Sequence, residues 1–518
     1  AAMEMDEVKV TADYFANQDE NPVSFRTISP EEIRRSPGAA EDIFRVMQSM
    51  PGVATAGTKS AQLIVRGGSP EENLTLLDNI EVYNPIHFAR TGESMGVISI
   101  VNPALLQKVD FLTGGFPAKY GVKMSSVFDM TLKEGNKETM NTDANLNIAG
   151  FGITMDGPVA ENTNMVFSLR RGYFDLITSL LDKPVAPNYY DAVGKTSFDL
   201  NKDNRISLVG FYYVDQIERT GIEKGETYSW NRFDYLTRDD YGAAIGINWR
   251  SLISEKAFSL VTASYTSNGW NTIQGTELNR DLLGEDIRED EFSLKSEFNY
   301  QFSPKLNLKL GGQFKVINSH NESWSPADTT REGTIIPASI ISYQPDAEFK
   351  SMFFLQSSFR IVDPLVISAG LRYDYFSLTN ENNFSPRISL SYNLSERTRL
   401  NFALGRYYQS PASYEIAPDE RNLLLNSSYA DHYIAGVEYR LGLDTKAGIE
   451  IYHKELSSLI VDPDSSNLLI NTGSGYAQGI EFSLQKKFTD GFVGSASYSY
   501  SISKRRDYEL ASLYDFEY

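Results

Sequence analysis

Residues 306–316 read Leu306-Asn307-Leu308-Lys309-Leu310-Gly311-Gly312-Gln313-Phe314-Lys315-Val316. Successive side chains of a β-strand point to opposite faces. Leu306, Leu308, Leu310, Phe314 and Val316 therefore share one apolar face, and Asn307, Lys309, Gln313 and Lys315 share a polar one. Such a run is longer than the roughly five or six residues of an ordinary soluble strand and matches the roughly 9–11 that a tilted strand needs to cross a bilayer. The pattern recurs. Leu365, Ile367, Ala369, Leu371, Tyr373 and Tyr375 oppose Ser368, Arg372 and Asp374, and Phe492, Ala496, Tyr498, Tyr500 and Ile502 oppose Ser495, Ser497, Ser499 and Ser501. In water these apolar faces would need a second sheet or helices to cover them. The sequence from about residue 143 onward carries no helical period to supply that cover, which leaves lipid as the medium they meet.

The connections alternate in length. Short turns at 201–204, 254–256, 303–304, 363–364, 395–396, 442–444 and 489–491 are separated by longer loops at 217–238, 271–287, 319–345, 411–428 and 457–470. Short turns at one rim and long loops at the other are the arrangement of an outer-membrane barrel, and the spacing predicts about sixteen strands. Soluble sandwiches and propellers are the competing readings; they do not need a polar inner face along strands this long, and no propeller-like repeat is visible.

Composition fits the barrel. The 518 residues include 30 Tyr and 29 Phe but 4 Trp, and aromatic residues populate the lipid face and girdles of such proteins. No run of about 18 apolar residues suggests a transmembrane helix. A formal charge of −20 argues against a nucleic-acid partner, which calls for a basic surface. Cysteine is absent and the four histidines, at 87, 320, 432 and 453, lack metal-motif spacing. There is no phosphate loop, zinc helix or nucleophile elbow. No catalytic residue, cofactor or metal site is assigned, and the acidic run at 285–291 reads as a solvated loop face.

The first part of the chain, residues 21–136, reads as a compact α/β domain. Ser29-Pro30-Glu31-Glu32 starts a helix, with Ser29 as N-cap, Pro30 at the first position and Glu32 completing a capping box. A second helix is expected near 41–50, with Ile43, Met47 and Met50 on one face and Pro51-Gly52 as its stop. Leu63-Ile64-Val65-Arg66 reads as a strand ending in Gly67-Gly68, residues 74–82 as a hairpin around Asp78-Asn79, and residues 127–132 as a closing strand.

Three passages in this domain carry a family resemblance. They are Met47-Gln48-Ser49-Met50-Pro51-Gly52-Val53; then Ile64-Val65-Arg66-Gly67-Gly68 followed by Leu77-Asp78-Asn79-Ile80-Glu81-Val82; then Asn102-Pro103, Val109-Asp110-Phe111-Leu112 and Gly114-Gly115-Phe116-Pro117-Ala118-Lys119-Tyr120-Gly121. In order and spacing they resemble the plug of TonB-dependent outer-membrane receptors, in wording closest to those of Bacteroidetes. The resemblance implies a mainly β protein: a coupling segment and linker at 1–20, an α/β plug at 21–136, and a large antiparallel transmembrane β-barrel at 137–518 with the plug in its lumen. The family barrel has about 22 strands, so about sixteen implies that several more follow residue 518.

The resemblance also implies roles. Asp6-Glu7-Val8-Lys9-Val10-Thr11-Ala12 looks like the TonB box, an extended segment able to add a strand to the energy-coupling protein TonB. Arg66 matches the plug arginine that the family pairs with barrel glutamates, and Glu481 looks like one such partner. The second plug position is Thr113 and the second barrel position is Ile434, so the expectation is a simplified contact centred on Arg66. Ligand-contact candidates are Trp230, Trp270 and Trp324, placed in long loops, and Tyr228, Tyr407 and Tyr408 near outer strand ends; membrane-interface anchoring or loop packing is the competing reading for all six. Trp249, beside the 254–256 turn, suits the periplasmic girdle. The implied partners are TonB with its inner-membrane motor, outer-membrane lipid, a nutrient of the siderophore, cobalamin, glycan or peptide class, and a surface lipoprotein. The implied function is energised uptake. A passive porin and a barrel enzyme are the rivals.

Overall fold

A computed structural model describes residues 23–36, 42–55, 61–89, 98–147, 150–181, 184–221, 235–276, 279–329, 335–336, 338–463, 467–489, 492–508 and 511–515. The helix start is as the sequence predicts. Pro30–Arg35 is helical, the Ser29 side chain accepts from the Glu32 backbone N–H, and the Glu32 carboxylate accepts from the Ser29 N–H. The second helix is shorter than expected, Ile43–Met47, because Asp42 caps it and the chain turns before Pro51. Asp78 and Asn79 both take positive φ (46° and 71°), the geometry of a tight two-residue hairpin turn. These elements surround a five-stranded mixed sheet in the order Phe25–Ile28, Leu106–Leu112, Ser126–Leu132, Asn73–Leu77, Ile80–Glu81. Ile33, Met47, Val65, Leu77, Val109 and Met130 are fully buried around it.

From Asn141 on, nineteen of the described strands form one antiparallel sheet joined in sequence order, and Asp328–Thr329 and Ile335–Ile336 pair separately. That exceeds the expected sixteen. Ser339–Tyr343 and Tyr514–Asp515 are short strands at the long-loop rim, and setting them aside leaves seventeen longer ones. The tight turns fall at the expected places, including 201–204, 303–306 and 440–445. The strands are longer than the periodicity suggested. Leu283–Ser303 has 21 residues, about 70 Å of chain at roughly 3.4 Å per residue, whereas the hydrocarbon core is about 30 Å thick. Much of the sheet therefore stands above the membrane.

The apolar faces read from sequence point outward. Leu310, Phe314, Phe353, Leu371 and Leu404 are 41–59% exposed, while Ser293, Lys295, Lys315, Ser358 and Ser368 on the opposite face are buried in the lumen. Trp249, Phe302, Tyr392 and Tyr439 lie outward beside the tight turns, as a girdle at that rim requires. The plug fills the lumen. Where its apolar core touches the wall, the wall supplies Val166, Val193, Val209, Phe211 and Ala244 in place of polar residues.

Phe353→Arg places a cation at the middle of the outward face. The expected cost is about 2–4 kcal/mol, measured by denaturant unfolding in lipid vesicles; a cost near zero would show that this face does not meet lipid.

Candidate functional site

Buried charge pairs join the plug to the wall, with clusters built on Arg66 and His87 among them, and a cavity lies above the plug. The first cluster is built on Arg66. The strand Leu63–Val65 ends there in a left-handed turn, with φ of 48° at Arg66 and 70° at Gly67. This turn sends the Arg66 side chain toward the wall, 2% exposed. Its Nε donates to Glu481 Oε1 (2.8 Å) and its Nη2 to Glu481 Oε2 (2.7 Å), a two-pronged contact matched to the guanidinium's fixed fork. Nη2 also donates to Glu450 Oε2 (2.6 Å) and Nη1 to Ser24 Oγ (2.8 Å), while Ser24 donates its N–H and hydroxyl to Glu450. Tyr452 lies under the guanidinium at 4.6 Å. Burial by itself lowers the Arg66 pKa, but Glu481 and Glu450 more than reverse it, so the group is held above its ordinary value. Gly52 is required beside this contact. Its φ is 75°, its carbonyl accepts from the Arg66 N–H, and a Cβ there would lie 2.2 Å from Glu481 Oε1.

The contact is therefore not simplified, contrary to the sequence expectation. Thr113 and Ile434 are uncharged and buried as anticipated, but the second carboxylate comes from Glu450, directly opposite Glu481 on the neighbouring strand. A signal was present: Gly448-Ile449-Glu450 repeats the wording of Gly479-Ile480-Glu481. A matching triplet on two strands in register places both carboxylates on one patch of wall.

The second cluster has no such signal. His87, 0% exposed on the short hairpin Ile86–His87/Ile98–Ser99, lies between two wall aspartates. Its Nδ1 is 2.6 Å from Asp215 Oδ1 and its Nε2 is 2.9 Å from Asp191 Oδ2. Tyr189 stacks on the ring at 4.1 Å. Asp215 also accepts from the Phe88 N–H, and Arg170 pairs with Asp191. Each ring nitrogen thus lies within hydrogen-bond distance of a carboxylate, an arrangement that favours the doubly protonated imidazole. Burial opposes that charge, yet Asp215 and Asp191 outweigh it and the His87 pKa is raised. A third tether is uncharged on the plug side: Arg387 Nη1 donates to the carbonyls of Phe116, Pro117 and Tyr120.

Between the plug and the long-loop rim lies a cavity of about 240 Å³. The plug segment 81–89 supplies its floor, the wall contributes Trp270, Glu289, Lys315 and Lys350, and the connection 409–415 closes one side. This floor is itself tethered. Lys315 Nζ bridges Glu81 (2.5 Å) and Glu291 (2.9 Å), and Tyr83 donates to Glu291 (2.5 Å).

The aromatic candidates separate. Trp270 lines the cavity, with its Nε1 donating to Glu285. It lies within the strand Ala257–Gly275 and Trp324 within Leu306–Ser325, not in loops as expected, because these strands continue past the membrane. Trp324 falls on the same side of its strand as Leu310 and Phe314, over Gly284, and so faces away from the lumen. Tyr407 is 1% exposed, with its hydroxyl donating to the Phe116 carbonyl and Arg387 over its ring at 4.2 Å; it secures the plug and has no face open to a ligand. Tyr408 alternates with it and packs outward on Tyr429. Tyr228, Trp230 and the segment 6–12 lie outside the described residues.

This geometry has known counterparts. A family model described as "TonB dependent receptor-like, beta-barrel" matches residues 168–516, and one described as "TonB-dependent Receptor Plug Domain" matches residues 17–126. The chain belongs to the TonB-dependent receptor family and is an outer-membrane protein. The ferrienterobactin receptor of Escherichia coli (strain K12) is 25% identical over 87% of this chain and 67% of its own length. The ferric enterobactin receptor of Pseudomonas aeruginosa is 21% identical, over 76% and 59%. The chain thus spans about two thirds or less of these relatives. Among solved structures, the ferric enterobactin receptor PfeA of P. aeruginosa aligns with a TM-score of 0.70 at 17% identity, covering 95% of this chain and 81% of that one. The outer-membrane transporter YddB of E. coli aligns at 0.69 and 13%, covering 93% and 77%. These structures share the fold.

Arg66→Ala leaves Glu450 and Glu481 buried without their cation. The expected loss is about 3–5 kcal/mol of plug docking, read as plug proteolysis at lower urea, and Arg66→Lys recovers only part of it because it lacks the fork. His87→Gln removes the imidazolium. The native His87 pKa is raised, so its contribution is complete below the unfolded value of about 6.5 and fades as pH rises through the native value. The stability gap between wild type and His87→Gln is therefore widest below about pH 6.5 and narrows as pH rises through the native value.

Proposed function

We propose that this protein imports a ferric chelate across the outer membrane, energised by TonB acting on the segment 6–12. The observation that carries the reading is the tethered plug. The floor of the cavity at the long-loop rim is plug segment 81–89, and that segment is fixed to the wall through Glu81, Tyr83 and His87. A ligand entering from that rim meets the plug, and nothing passes until those contacts are broken. Breaking buried charge pairs requires work, which suits an energised receptor and gives a passive porin no advantage. The names of the relatives support receptors for ferric chelates as the class. The role of Arg66 with Glu481 as a plug-retaining contact is part of the same proposal.

Deleting residues 6–12 tests it. Uptake of radio-iron chelate by cells is expected to fall to background while binding by the purified protein is unchanged. Uptake that persists at the wild-type rate would support the passive-porin alternative.

A further inference from the structure

The charge balance of the cavity points to a class of ligand. Among the described residues, five carboxylates line it (Glu71, Glu81, Glu289, Glu348 and Glu415) against three lysines, and no arginine does. Each lysine is already engaged. Lys315 is held by Glu81 and Glu291, Lys350 pairs with Glu348 at 3.2 Å, and Lys123 donates to the Glu71 carbonyl at 2.5 Å. Among the described residues, Glu289 accepts from the Ser413 hydroxyl (2.9 Å) and Glu415 from the Ala412 N–H (2.7 Å), and neither forms an ion pair. Tyr83, Trp270 and Tyr414 line the same cavity.

A trianionic guest would have to displace lysines from partners that hold them and would approach Glu289 and Glu415 with like charge. In a partly desolvated cavity such juxtapositions are strongly unfavourable. A guest carrying an ammonium group finds the opposite: carboxylates in excess of lysines and aromatic residues beside them, both of which attract a cation. We propose that the cavity selects a ferric chelate bearing a positive charge and rejects trianionic ferric tris-catecholates. The inference rests on the uptake reading of the same cavity and adds the charge class of the substrate.

The test uses the full chain purified in detergent and three probes: ferrioxamine B, a ferric trihydroxamate with one free ammonium; its N-acetylated neutral analogue; and a ferric tris-catecholate. Ferrioxamine B is expected to bind about tenfold more tightly than the acetylated analogue, with a preference that weakens as salt rises, and the tris-catecholate is expected not to bind. In Glu289→Gln/Glu415→Gln the amide oxygens can still accept from Ser413 and Ala412, so the fold is retained while the preference should disappear. Salt dependence of wild-type binding supplies the same reading if that variant fails to assemble. Tris-catecholate binding as tight as ferrioxamine B, equal binding of the two hydroxamates, or no binding of any probe overturns the proposal. The uptake reading is judged separately, by whether uptake depends on residues 6–12.

Discussion

In hydrocarbon there is no water to satisfy a backbone N–H or C=O, so every spanning strand must find its hydrogen bonds on its neighbours. The continuous antiparallel ladder from Asn141 to Asp515 is the consequence. Once the ladder exists, the two faces of every strand meet different media. Phe353, Leu371 and Leu404 face lipid because their alternate neighbours, such as Met352, Arg372 and Ala403, face the lumen. A sheet of this size encloses far more space than its own side chains fill, and the plug occupies that space.

Filling a polar lumen with a folded domain sets a second problem. The plug must be held in one seat within that lumen. An apolar interface would hold it by area, and part of the interface is of that kind, where Val166, Val193, Val209 and Phe211 join the plug core. The rest is charged. Arg66 with Glu450 and Glu481, His87 with Asp191 and Asp215, and Lys315 with Glu81 and Glu291 are all well removed from solvent. Such contacts contribute little net stability relative to apolar replacements of the same shape, but losing one partner is costly. They favour one docked position over others, since a plug displaced by a few ångströms leaves charges unpaired on both sides. Two of these anchors flank the floor of the cavity at the long-loop rim.

Much of the local structure is legible in residue order because its causes are local. The Ser29–Glu32 capping box, the Asp78-Asn79 turn and the alternation of 306–316 each depend on neighbours a few positions apart. Strand length was less legible. Above the membrane both faces meet water, the alternation fades, and Trp270 and Trp324 read as loop residues although both lie in strands. Arg66 and Glu481 were visible through family resemblance. Glu450 was visible in principle, through the repeated Gly-Ile-Glu triplet.

By itself, the sequence determined that this chain forms a small capped α/β domain followed by long two-faced strands, because side-chain periodicity and turn chemistry act within a few residues. The tertiary structure alone decided which charges meet. His87 is 104 residues from Asp191 and 128 from Asp215, and Arg66 is 384 from Glu450. It also decided that Tyr407 is sealed under the plug while Tyr408 packs outward. Those outcomes depend on the register of the sheet and the seat of the plug within it, and a one-residue shift in register would exchange the two faces of a strand.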